Sequence, residues 1–133
     1  MSLDHYDEAY RLWKTDGGIG LSGADLKENI AKFLERNPGS SFVALIDGRI
    51  IGTVLGGHDG RRGYVYHLFV DPDHRSCGIG RALAGRCMDW FRENGIEKSH
   101  VFVFKDNDEG TGFWKKAGFR LRDDILLMSI EIK

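Results

Sequence analysis

The stretch YVYHLFVDPDHRSCGIGRAL, residues 64 to 83, narrows the fold more than any other part of the chain. Its first seven residues are aromatic, aliphatic or β-branched apart from His67, which suits a strand covered on both faces. Asp71-Pro72 stops that strand. Gly78 and Gly80 then open a helix expected from 79 to about 94, with Leu83, Cys87, Trp90 and Phe91 on its buried side and Asn94-Gly95 at its end. "SHVFVF", residues 99 to 104, reads as the next strand. A strand, a helix and a strand in that order leave one economical solution. Strands 64–70 and 99–104 lie parallel, joined by a right-handed crossover.

The flanking segments fit around that unit. "SFVALIDGRIIGTVLGG" reads as two strands about Asp47-Gly48, a dipeptide that favours a type I′ hairpin turn. "HDGRRG" is a second turn. Upstream, residues 4 to 14 carry Tyr6, Ala9, Tyr10 and Trp13 at helical spacing. "TDGGIGLSG" interrupts the pattern. Ser22 and Asp25 then form a capping-box pattern ahead of a second helical stripe, Leu26, Ile30, Phe33 and Leu34, which "RNPGS" ends. Downstream, "DEGTGFWKKAG" predicts a short helix and "ILLMSIEI" a last strand. The order is α-α-β-β-β-α-β-α-β without repeat or linker. The expected fold is a single domain over 1–133, mixed α/β, mostly antiparallel with a central parallel β-α-β unit and helices on both faces.

Bulk properties remove several function classes. Formal net charge is −1, with 29% charged and 41% hydrophobic residues. That balance argues against nucleic-acid binding through a broad basic surface. No apolar run reaches membrane-spanning length, so no membrane partner is expected. The start, "MSLDHYDEAY", is too polar for a secretory signal. Cys77 and Cys87 would lie along one rising helix and do not suggest a disulfide, so a reducing cytoplasm is the expected setting.

The glycine stretch suggests an anion site. A helix start exposes backbone donors and the positive end of the dipole. Gly78 and Gly80 remove side chains that would block approach, and Arg75 and Arg81 add charge. A nucleotide-binding P-loop needs Gly-Lys-Ser/Thr, whereas Gly80 is followed by Arg81-Ala82. A dinucleotide fold needs Gly-x-Gly-x-x-Gly after a first strand, not a third. A plain helix entry without a ligand also satisfies a lone Gly-x-Gly.

Arg75-x-x-Gly78-x-Gly80 after "HLFVDPDH" resembles the acyl-CoA signature of the GNAT superfamily of N-acyltransferases. "NDEGTGFWKKAGF" is similar to that family's second motif, and the hairpin and element order match as well. The resemblance covers roughly residues 4 to 131 and points to a branch of small bacterial predicted acetyltransferases. It implies that acetyl-CoA is the co-substrate, with no metal. The acceptor would be a small-molecule amine or a protein amino group, attacking the thioester directly in a ternary complex. It implies that the main chain of Phe69 and Val70 pairs with the pantetheine arm. The Leu68 amide would face the thioester oxygen. Main-chain donors of Ser76, Cys77, Gly78, Ile79, Gly80 and Arg81, with Arg75, would hold the pyrophosphate. Asn107 would bond the pantetheine. Strands of this kind part at a bulge, leaving donors for the ligand.

The catalytic side chains are less defined. Strand alternation places Tyr64, Tyr66 and Leu68 on one face and Val65, His67 and Phe69 on the other. Relatives often carry Glu or His where Tyr64 or Tyr66 stands; a tyrosine is a poor base near neutrality but can orient a water or wall an acceptor pocket. His67 is then expected as a buried, satisfied histidine on the opposite face. His58 and Asp59 read as turn residues, and His74 as a surface residue beside the phosphates. Trp114 stands where many relatives have a tyrosine that protonates the thiolate; an indole N–H is not an acid. The chain also enters its first helix almost directly, where most relatives have a strand; either the chain is shortened, or Met1-Ser2-Leu3 is foreign to it, or one sheet edge is open, and an open edge would offer a homodimer site. The acceptor loop would be "KTDGGIGLSGAD", with Asp16, Asp25 and Asp59 as solvated charges. The competing reading is a GNAT-fold module that binds CoA without turnover.

Overall fold

The computed structural model describes residues 1–15 and 19–133. Helix α1 (Tyr6–Trp13) follows one 3-10 turn and buries Tyr6, Ala9 and Trp13, the expected stripe. Helix α2 (Lys27–Arg36) follows a second 3-10 turn over Gly23–Asp25. That turn carries the predicted capping box. The Ala24 amide donates to the Ser22 hydroxyl, and the Ser22 amide to the Asp25 carboxylate at 2.9 Å. Strands β1 (Phe42–Ile46) and β2 (Arg49–His58) form the hairpin. Asp47 and Gly48 both take positive φ, 51° and 77°, as a type I′ turn requires.

Strand β3 (Gly63–Val70), helix α3 (Ile79–Glu93) and strand β4 (Ser99–Val101) make the β-α-β unit, and helix α4 (Asp108–Lys116) follows. The sheet order is β1-β2-β3-β4, antiparallel except for the parallel pair β3–β4. Helices α1 and α2 cover one face, packing Tyr6, Trp13 and Ile30 against Ile50, Leu55 and Phe69. Helix α3 covers the other, packing Leu83, Cys87 and Phe91 against Val54 and Val65. Burial of such side chains stabilises by roughly 1.5–3 kcal/mol each. The segment before β1 and helix α3 both crowd β2 at Gly56, where a Cβ would stand 2.3 Å from the Ser40 carbonyl oxygen and 3.1 Å from the Cys87 sulfur.

Two expectations about strands are corrected. The segment 99–104 pairs only over Ser99–Val101, and Phe102 and Phe104 beyond it are exposed. The predicted last strand, 125–132, has no ladder partner among the described residues and forms no strand. Extended backbone needs a neighbour for its N–H and C=O groups, and apolar alternation alone does not supply one.

Candidate active site

The β3–β4 ladder ends at Val65↔Val101, so residues 66–70 of β3 have no strand neighbour on that side. At the same point β3 bulges. Thr53 of β2 opposes Phe69 and Leu55 opposes Tyr66, leaving His67 and Leu68 together opposite Val54. His67 takes φ 51°, a left-handed conformation that costs a side-chain-bearing residue about 1–3 kcal/mol.

Three interactions hold it there. The buried Thr53 hydroxyl donates to the His67 carbonyl at 2.8 Å, and the Trp13 indole N–H donates to the Thr53 oxygen at 2.8 Å. The His67 ring meets the Asp25 carboxylate, Nε2 to Oδ1 2.6 Å, with both side chains largely buried. Trp13 stands edge-on to that ring at 4.6 Å between centroids.

The bulge overturns the expected alternation. Tyr66 contacts Phe33 of α2, and Val65 faces α3, as a regular strand requires. Past the bulge the order inverts: Leu68 packs with the α3 cluster and Phe69 with the α1 side. His67 reaches Trp13 and Asp25, so it shares the helix α1–α2 face with Tyr64 and Tyr66 and does not oppose them. Leu68 leaves that face. The expectation failed because one extra residue in a strand reverses every side chain after it.

Tyr64, Tyr66 and Phe102 form an aromatic ladder with ring centroids 6.3–6.4 Å apart. Burial, with a smaller effect of Tyr64, raises the Tyr66 phenol above its ordinary range, so it holds its proton at neutral pH. Asp25 is buried in its pair with His67, which corrects the expectation of a solvated loop charge. Asp59 does serve its turn: its carboxylate accepts from the Arg61 and Arg62 amides, which hold it below the usual carboxylate range. His58 accepts from the Gly60 amide in the same turn. Asp16 lies outside the described residues.

The glycine loop leaves β3 through a 3-10 turn over Pro72–His74, capped by the Asp71 carboxylate. His74 is half-buried, with Nδ1 enclosed and unbonded, because the turn folds it inward and not onto the surface as expected. Arg75 donates Nε to the Val70 carbonyl at 2.9 Å and stacks over Phe69. Ser76 and Gly78 both have positive φ, 66° and 82°. Alternation of hand in such a loop turns successive amides into a concavity suited to an anion. Gly78 caps α3 without a side-chain bond, and no acid lies in the first turn. The first helical bond runs from the Ala82 amide to the Gly78 carbonyl, so the amides of Ile79, Gly80 and Arg81 have no helical acceptor.

Gly80 is informative here. A Cβ at that position would meet only ordinary contacts, Phe113 at 3.4 Å and Val70 at 3.5 Å. The protein's own packing therefore does not require glycine there, whereas a ligand lying on these amides does. Residues beside the loop come from α4. The Asn107 carbonyl oxygen of the side chain caps α4 by accepting from the Gly110 amide at 2.9 Å. Trp114 is half-buried, edge-on to Phe113 and Phe119. Sequence reasoning missed Asp25, Thr53 and Trp13 as the supports of the site. A histidine inside a strand was the one available signal, since His tolerates the left-handed region better than most residues. Among the described residues, no group of three or more His, Cys, Asp or Glu is placed to hold a metal, and no helix is long and apolar enough to cross a membrane.

A parallel pair that parts beside a glycine-opened helix start, with helices on both sheet faces, is the arrangement the sequence resemblance implied. The model of the Acetyltransferase (GNAT) family matches residues 6–119. An acetyltransferase of Yersinia pestis (strain Pestoides F) is 33% identical over 124 residues, covering 93% of this chain and 87% of the relative. A predicted acetyltransferase from Clostridium acetobutylicum, solved with acetyl-CoA, superposes with a TM-score of 0.76 at 19% identity, over 97% of this chain and 92% of that one. An aminoglycoside acetyltransferase from an uncultured soil metagenomic sample, solved with sisomicin, gives 0.78 at 21% identity, over 98% and 90%. The chain belongs to the GNAT family of acetyltransferases.

Proposed function

We propose that the protein moves an acetyl group from acetyl-CoA to a primary amine, of a small molecule or of a protein amino group. The amine nitrogen forms a bond to the thioester carbonyl carbon, the C–S bond breaks, nitrogen loses a proton and the sulfur gains one. The observation that carries the proposal is the set of first-turn amides on α3 without helical acceptors, at a glycine the protein's own packing does not require.

The main-chain donors of 76–81 and the Arg75 charge suit the diphosphate. The unpaired side of β3 at Phe69 and Val70 suits the pantetheine amides, with the Leu68 N–H as the donor to the developing oxyanion. Asn107 and Trp114, at the start and within α4, are assigned to the pantetheine side of the site. Tyr64, Tyr66 and Phe102 form an aromatic wall, a surface that attracts an alkylammonium. With Tyr66 held neutral, the proton acceptor is assigned to His67, oriented by Asp25 and acting directly or through one water.

The test is thiol release from acetyl-CoA by purified protein against polyamines, aminoglycosides, amino acids and lysine peptides. Amine-dependent release is expected, with His67→Gln losing turnover while keeping CoA affinity. Tight CoA binding without turnover on any amine would favour the non-catalytic module instead.

A further inference from the structure

The core beneath the bulge holds two polar groups that packing alone does not call for. Trp13 of α1 and Thr53 of β2 are both 0% exposed. A valine fills the space of a threonine, and a phenylalanine most of the space of a tryptophan, with no buried polar atom to satisfy. Here both polar groups are used. The Trp13 indole N–H donates to Thr53 Oγ1 at 2.8 Å, and the Thr53 hydroxyl donates to the His67 carbonyl at 2.8 Å. Chemistry fixes that direction. An indole N–H only donates and a carbonyl only accepts, so the single hydroxyl proton of Thr53 points at His67.

This run of bonds ends on one peptide unit. The His67 carbonyl and the Leu68 N–H belong to the same trans peptide, so they point in opposite directions. The carbonyl faces Thr53 on β2. The Leu68 N–H therefore faces the side on which β4 has parted from β3, past Val65↔Val101. Neither His67 nor Leu68 has a register partner on β2. The ladder does not set the tilt of this peptide plane, and the Thr53 hydroxyl does.

We propose that Thr53 and Trp13 are positioning residues for acetyl transfer, fixing and polarising the peptide whose N–H, at Leu68, meets the thioester oxygen. The proposal rests on the assignment of that N–H as the oxyanion donor. Thr53 aims the N–H before the substrate arrives, which is how such a donor becomes effective. It also draws electron density toward the His67 oxygen, which makes the N–H at the other end of the unit a stronger donor. The Trp13 bond strengthens Thr53 in the same sense. Asp25 does not duplicate this role, because it engages the ring of His67 and not its main chain.

The experiment is isotope-edited infrared spectroscopy of acetyl-CoA labelled with carbon-13 at the acetyl carbonyl, bound to the full chain without amine. Calorimetric titration with CoA accompanies it. The wild type should lower the carbonyl stretch relative to free acetyl-CoA. Thr53→Ser keeps the hydroxyl and should keep the lowered band. Thr53→Val should lose most of the shift, and Trp13→Phe part of it. CoA affinity should match the wild type in all three, since CoA carries no acyl oxygen. Amine-dependent thiol release should fall roughly tenfold to hundredfold in Thr53→Val at nearly constant KM for acetyl-CoA, within the cost of losing an oxyanion donor.

An unmoved band in Thr53→Val would overturn the proposal, and so would a serine variant as impaired as the valine one. A loss of CoA affinity in step with turnover would reduce Thr53 to a structural role and overturn it too. A wild type that binds acetyl-CoA without lowering the band fails differently: it removes the Leu68 donor itself, and this proposal with it. Trp13 also stands against the His67 ring, so for its variant the band and not turnover is the readout. Should Thr53→Val not fold, the Trp13→Phe band decides, and a position equal to wild type would overturn the relay.

Discussion

Gly80→Ala separates a ligand-driven glycine from a packing-driven one. The position is the second of helix α3, its φ is not in the left-handed region, and an added Cβ finds Phe113 and Val70 at ordinary contact distance. Replacing glycine by alanine in a helix stabilises by up to about 1 kcal/mol, because the unfolded chain loses freedom. For a domain of this size that raises Tm by roughly 2–5 °C. Binding moves the other way. A methyl group over the first-turn amides keeps a diphosphate from approaching at least one of them. A hydrogen bond to a charged group contributes about 1.5–3 kcal/mol, so losing one weakens affinity roughly tenfold to hundredfold. The assay is a thermal melt without ligand beside a calorimetric titration with CoA. Higher Tm with lower affinity is the expected pair. Unchanged affinity would refute the placement of the ligand on these amides, and a lower Tm would refute the reading of the cavity at Gly80.

Other perturbations address the supports of the site. Thr53→Val keeps the shape but leaves the buried Trp13 indole N–H without its acceptor and removes the donor to the His67 carbonyl. Urea unfolding should show a loss of about 1–3 kcal/mol; a neutral result would mean the bulge does not depend on this chain of bonds. Cys77 is exposed in the glycine loop, whereas burial pushes the Cys87 thiol up to about 12. Iodoacetamide should therefore label Cys77 alone in the native protein, and saturating CoA should slow it; mass spectrometry showing equal rates with and without CoA would move the ligand away from the loop. Burial raises the Tyr66 phenol, so the folded state keeps a proton that the unfolded state releases. That contribution is complete below the ordinary phenol value of about 10 and disappears as pH climbs through the raised one. Melting temperatures on the alkaline limb should fall less steeply in Tyr66→Phe, and identical slopes would count against the shift.

The elements written by short-range chemistry were readable from the chain. Asp47-Gly48 announces its turn because both residues must take positive φ there, and Ser22 with Asp25 announces a cap because the pattern satisfies two amides locally. The helix entry at Gly78 was readable for the same reason, since that glycine takes a φ of 82° ahead of α3. What escaped was set at long range. In Tyr-Val-Tyr-His-Leu only the histidine itself hints at a left-handed residue; Thr53 is 14 residues from it in sequence, and Trp13 is 40 residues from Thr53. Residues 125–132 read as a last strand and form none, because an apolar pattern does not state where its partner lies.

The single displaced residue at His67 explains why one strand can serve two compartments. Before it, Tyr64 and Tyr66 look toward α2; after it, Leu68 looks toward α3, while the backbone turns away from β4. A regular strand would keep its ladder with β4 and leave no unpaired amides, so it could offer side chains to an acceptor but no main chain to a thioester. The left-handed conformation is costly, and it persists because Thr53 and Asp25 engage the two ends of the same residue, its carbonyl and its ring. Asp25 belongs to the 3-10 turn that Ser22 caps, so that turn also fixes the histidine. Loosening that turn should therefore disturb proton transfer and the oxyanion donor together. Moving only the glycine loop should disturb cofactor affinity and leave both in place.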